Sequence, residues 1–75
     1  MNNNRRNKLK ELIKKIEIIK GELGSILSDE ENDFDSMPEN LQGSMNGMNS
    51  EEAIDKMNEA IESIEEVVES IEEII

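Results

Sequence analysis

The sequence predicts an all-α protein, an antiparallel helical hairpin that dimerises into a four-helix bundle. Two long stretches carry apolar residues every three and four positions, and a short segment with the only proline separates them. Basic side chains collect on the first stretch and acidic ones on the second. Seventy-five residues with one Phe and no Cys, His, Trp or Tyr make a small single domain whose core needs help from self-association.

The first helix is expected over about 4–34, after a polar start in which Asn4 or Asn7 can cap it. Leu9, Leu12, Ile16, Ile19, Leu23 and Ile26 alternate by three and four residues and form the predicted seam. Ile13 and Leu27 flank that seam, and the seven-residue row Ile13, Lys20, Leu27 continues to Phe34, which carries the helix through Asp29, Glu30 and Glu31. Met37 precedes Pro38 and is biased to extended backbone, so the helix ends before it.

A connector is expected over 35–49. Within it Pro38 to Leu41 can form one helical turn with proline at its first position, and Gln42 to Asn49, with Gly43 and Gly47, reads as the flexible part. The second helix then covers about 50–75, capped by Asn49 or Ser50, with Glu52 completing a capping box. Its seam is Ile54, Met57, Ile61, Ile64, Val68, Ile71 and Ile75, a coiled-coil pattern. A second row, Ala53, Ala60, Val67 and Ile74, widens the stripe beyond what one partner helix covers.

Folding the two stretches back on each other places Leu23 beside Met57, Ile19 beside Ile61, Ile16 beside Ile64 and Leu12 beside Val68, with Ile71 completing the predicted core. Lys8, Lys10, Lys14 and Lys15 then run alongside Glu65, Glu66, Glu69, Glu72 and Glu73 and select the antiparallel direction. Ile13, Leu27, Ala53, Ala60, Val67 and Ile74 are the surplus, and they are the expected self-association residues of a homodimer.

Charge and composition narrow the function. The formal net charge is −11, and residues 1–20 carry seven basic side chains against two acidic ones, so the remainder is strongly acidic. That balance argues against direct nucleic-acid binding and for steering towards basic surfaces, and a single aromatic residue offers no stacking platform. Serines without a His to activate them and carboxylates on solvated helix faces predict no catalytic residues, no cofactor and no metal. The alternating Asp29, Glu31, Asp33 and Asp35 resemble the start of a calcium loop. Counting from Asp29, however, Phe34 stands where the turn glycine belongs and Asn40 where a bidentate Glu is needed. No apolar run is long enough to span a bilayer or to serve as a signal-peptide core, so no membrane partner and a cytoplasmic location are expected.

The segment Phe34-Asp35-Ser36-Met37-Pro38-Glu39-Asn40-Leu41-Gln42-Gly43-Ser44 resembles the linker, close to F-D-N-M-P-E-N-L-Q-x-S, of short phage and prophage proteins of low-GC Gram-positive bacteria. Ser36 departs from the Asn of that pattern, and Gly21 and Gly24 stand where such proteins keep helix formers. The resemblance implies a helical hairpin and a phage origin, hence residence in a host cell, and it transfers no catalytic residue. The function expected is that of a small acidic protein-protein interaction module acting on a basic host or phage protein, in an anti-defence role. Its binding face would be Glu51, Glu52, Asp55, Glu59, Glu62, Glu66, Glu69 and Glu73. The alternatives are sequestration of a host signalling nucleotide between subunits, through Arg5, Arg6 and the Lys8 to Lys20 face, or a structural role as a phage accessory protein.

Overall fold

A computed structural model describes residues 1–75, which form three helices and no strand: α1 (Asn3–Asp35), α2 (Glu39–Gln42) and α3 (Met45–Glu72). The molecule is a rod of 58 × 15 × 12 Å, because α1 and α3 lie along one another and α2 caps one end. At the start of α1 the cap is Asn2, two residues before Asn4 and five before Asn7, the expected caps. Its side chain accepts from the Arg5 amide at 2.8 Å and satisfies one of the amides that every helix start leaves free.

The segment joining the long helices is more regular than its glycines suggest. Pro38 opens the expected single turn, which closes through amides of Leu41 and Gln42 donating to the Pro38 carbonyl at 2.8 and 3.1 Å. Gln42 then folds back, and its side-chain amide donates to the carbonyls of Phe34 and Met37, both at 3.2 Å. One amide thus ties two carbonyls, one in the last turn of α1 and one just beyond it, to the short helix α2. Ser44 caps α3: its hydroxyl accepts from the Gly47 amide at 3.4 Å and donates to the Leu41 carbonyl. The second long helix therefore begins about five residues before the expected start, and Asn49 and Ser50 lie inside it.

Gly47 is buried where α2 meets α3, and a Cβ there would overlap the carbonyl of Gln42. Its φ is not positive, so the residue is glycine for close approach and not for backbone freedom. Three residues on, Ser50 is 4% exposed and donates to the Glu30 carboxylate at 2.7 Å, tying α3 to α1.

On α1 the residues turned towards α3 are Leu9, Ile13, Ile16, Lys20, Leu23, Leu27, Glu30 and Phe34, all half-buried except Leu27, which is buried. This corrects the predicted seam: Leu12, Ile19 and Ile26 are exposed, whereas Ile13 and Leu27, expected at a dimer contact, face the other helix of the same chain. Both rows have the same period, and exchanging them requires only a rotation of α1 by about 60° about its axis. On α3 the seam is as expected, with Val68 buried and Ile54, Met57, Ile61, Ile64 and Ile71 half-buried; the helix ends at Glu72, short of the expected 75, and Ile75 beyond it is half-buried too. Two polar residues interrupt the α1 seam, and each finds a partner. Glu30 takes Ser50, and Lys20 reaches Glu17 at 3.4 Å and Glu65 at 3.9 Å. The Glu30–Ser50 contact lies on the predicted register, and the Lys20–Glu65 contact is displaced from it by somewhat more than one helical turn.

Candidate functional site

The seam divides the rod into two flanks. Glu17, Gly24 and Glu31 follow the seam residues Ile16, Leu23 and Glu30 on one side of α1, while Leu12, Ile19 and Ile26 precede Ile13, Lys20 and Leu27 on the other. On α3 the corresponding rows are Glu51, Asn58, Glu65 and Glu72 on one side and Ala53, Ala60, Val67 and Ile74 on the other. Because Lys20 touches both Glu17 and Glu65, the two acidic rows lie on the same flank. An open cleft lined by Glu31, Phe34, Asp35, Glu51, Ile54 and Asp55 shows the same juxtaposition nearer the connector. The two apolar rows therefore share the opposite flank.

All eight residues expected to form an acidic binding face, Glu51, Glu52, Asp55, Glu59, Glu62, Glu66, Glu69 and Glu73, are exposed. Only Glu59 is held by a cation, Lys56 at 3.5 Å, in a pair open to water on both sides. The α-helix sets their spacing: Glu52, Glu59, Glu66 and Glu73 repeat every seven residues and form one row along the outer side of α3. Rows of carboxylates at that pitch offer charge along a length and have no concave wall from which to exclude water. The alternating Asp29, Glu31, Asp33 and Asp35 lie within α1, where residues two apart point to nearly opposite sides and do not converge on one ion.

The apolar flank is the larger surprise. Leu12 is 46%, Ile19 54%, Ile26 58%, Val67 49% and Ile74 54% exposed, and Ala53 and Ala60 beside them are half-buried. Of the residues assigned to self-association, Ala53, Ala60, Val67 and Ile74 are on this surface, but Ile13 and Leu27 are not, and Leu12, Ile19 and Ile26 take their place. The row Ile13, Lys20, Leu27, Phe34 faces inwards instead, and its polar member Lys20 reaches Glu65 of α3 as well as Glu17 of its own helix. Leu41, Met45 and Met48 form a separate exposed apolar group at the connector.

No family model, curated protein or solved structure matches the chain. The geometry alone therefore carries the functional reading, and the basic end of α1 enters it in an unexpected way. Lys8, Lys10 and Lys15 are exposed and make no ion pair with α3, contrary to the register argument that assigned them to Glu65, Glu66, Glu69, Glu72 and Glu73. Lys14 pairs with Glu11 on its own helix at 3.1 Å, and Arg6 hydrogen-bonds Asn3 at 3.3 Å. Lys20 supplies the only ion pair between the two long helices. No helix is long and apolar enough to cross a membrane.

Proposed function

We propose that the protein is a small acidic interaction module, an antiparallel helical hairpin that dimerises into a four-helix bundle and binds a basic host or phage protein. The observation that carries the reading is the separation of the apolar flank, where Leu12, Ile19, Ile26, Val67 and Ile74 stand exposed, from the outer side of α3, along which Glu52, Glu59, Glu66 and Glu73 form an unbroken row. A surface of aligned carboxylates attracts a basic groove over a distance set by the screening length and discriminates by charge pattern. A protein that displays such a row can occupy the nucleic-acid groove of a nuclease or another defence protein. That use fits the phage setting implied by the Phe34 to Ser44 linker.

Immobilised protein exposed to a lysate of the host, beside a column of the variant Glu52→Gln/Glu59→Gln/Glu66→Gln/Glu73→Gln, tests the reading. The expected result is a basic protein held by the parent, released by salt and absent from the variant column. Equal retention on both columns rejects the acidic face as the binding surface.

A second reading is favoured by Lys8, Lys10 and Lys15, which no carboxylate of α3 engages. Lys8 and Lys15 line the outside of α1 beside Asn4, Asn7, Glu11 and Leu12 and could hold the phosphates of a signalling nucleotide between subunits. A nucleotide bound by the folded state raises its melting temperature. A panel of cyclic nucleotides that leaves the melting temperature unchanged removes this reading and leaves the acidic module or a structural accessory role.

A further inference from the structure

We propose that the apolar flank is covered by the same flank of a second copy lying in the reverse direction, with α1 packed along the partner's α1 and the two connectors at opposite ends of the bundle. The proposal rests on the reading of a self-associating hairpin, and it adds the face, the neighbouring helix and the direction.

The need for an occupant is plain from burial. Only Leu27, Gly47, Ser50 and Val68 are buried in the isolated chain, and five large apolar side chains of one flank are about half exposed. A contiguous apolar strip of this kind on so small a protein marks an interface. The occupant follows from the rim of the strip. Outside Leu12, Ile19 and Ile26 on α1 runs the row Lys8, Lys15, Glu22, Asp29, each seven residues from the next, all exposed and none paired within the chain. Two positive charges followed by two negative ones are complementary to the same row read backwards. With Ile19 on the two-fold axis, Lys8 stands by the partner's Asp29 and Lys15 by the partner's Glu22. An unrelated partner has no reason to match this row, whereas a second copy in reverse matches it by construction.

The apolar residues obey the same symmetry. Leu12 meets the partner's Ile26, Ile19 meets its own copy, Val67 meets its own copy, and the bulky Ile74 meets the partner's small Ala60. Large opposite small is the arrangement that interdigitates at native density. The rim of α3 on this side carries Lys56, Ser63 and Ser70 and no carboxylate, so nothing acidic is trapped between the two copies of α3.

The overall field selects the same direction. Residues 21–60, the connector half of the rod, hold eleven acidic side chains against Lys56, a net of −10. Residues 1–20 and 61–75, the open half, hold seven basic against eight acidic side chains, a net of −1. Packing with the connectors together would set two strongly negative ends side by side, and the reverse packing sets each beside a nearly neutral end.

The absence of cysteine makes the direction measurable. A Glu39→Cys variant, spin-labelled at this exposed connector residue and shown by light scattering to be a dimer, should give a label-to-label distance of about 50 Å. A distance within about 20 Å overturns the reverse packing but leaves the dimer standing. A monomeric mass at tens of micromolar overturns the dimer reading itself. The rim pairing is tested by charge exchange. Lys15→Glu should weaken dimerisation roughly tenfold, and Lys15→Glu/Glu22→Lys should restore it, because the two residues meet only across the interface. A double variant as weak as the single one rejects the pairing of α1 with α1.

Discussion

At the connector end of the rod the chain closes on itself, although Leu41, Met45 and Met48 stay exposed: Leu27, Gly47 and Ser50 are buried, Gln42 and Ser44 satisfy backbone groups, and Glu30 is held by Ser50. At the open end Val68 is the one buried residue, and Leu12, Ile19 and Ile74 stand half in water although the sequence there is as apolar. The contrast follows from geometry. Where a turn adds α2 as a third wall, side chains and backbone can enclose a residue. Two helices side by side offer a single line of contact, and a stripe three residues wide per heptad overhangs it. The connector end is thus enclosed in part within one chain, and the open end leaves its apolar flank about half exposed.

The comparison can be broken most directly at Gly47. Gly47→Ala forces a Cβ onto the Gln42 carbonyl, which is backbone and cannot swing aside, and should cost about 3 kcal/mol. An unchanged urea midpoint would mean that α2 and α3 approach less closely than described. Next in size is Leu27→Ala, expected to lose about 2 to 3 kcal/mol at any protein concentration, because its cavity lies inside one chain. Its counterpart Leu12→Ala should cost less than about 1 kcal/mol in dilute, monomeric protein and more as concentration rises. Thermal melts of both variants over a hundredfold concentration range would erase the distinction between the two ends if their losses ran in parallel.

Smaller effects sharpen the account of the connector. Gln42→Ala removes two hydrogen bonds to the end of α1 and should cost about 1 to 2 kcal/mol, with amide exchange quickening around Leu41 to Ser44 while that of Ile61 to Val68 stays slow. Uniform acceleration along the chain would show that the connector and the long helices open together. Lys20→Gln should have the least effect, below about 1 kcal/mol, since both of its carboxylate partners are about half exposed. A larger loss in chemical denaturation would mark Lys20 as the residue that sets the rotation of α1.

Periodicity and breakers determined a good deal from the sequence alone: two long amphipathic helices, a single turn opened by Pro38, the seam of α3 and the exposure of the eight carboxylates from Glu51 to Glu73 expected to form an acidic face. Those features follow from local preference and from the 3.6-residue repeat, which any chain segment carries with it. The start of α3 did not follow, because Gly43 and Gly47 read as breakers until Gln42 and Ser44 are seen to supply the caps. Which row of α1 faces inwards was also decided only in three dimensions. The rows through Leu12, Ile19 and Ile26 and through Ile13, Lys20 and Leu27 share one period, and nothing local separates them. The choice between them is a rotation of one helix against another, settled where Gly47 lets the chain turn tightly and where Glu30 and Lys20 find Ser50 and Glu65. A repeat in sequence sets how residues are spaced around an axis, but only contacts with the rest of the fold set which way the axis is turned.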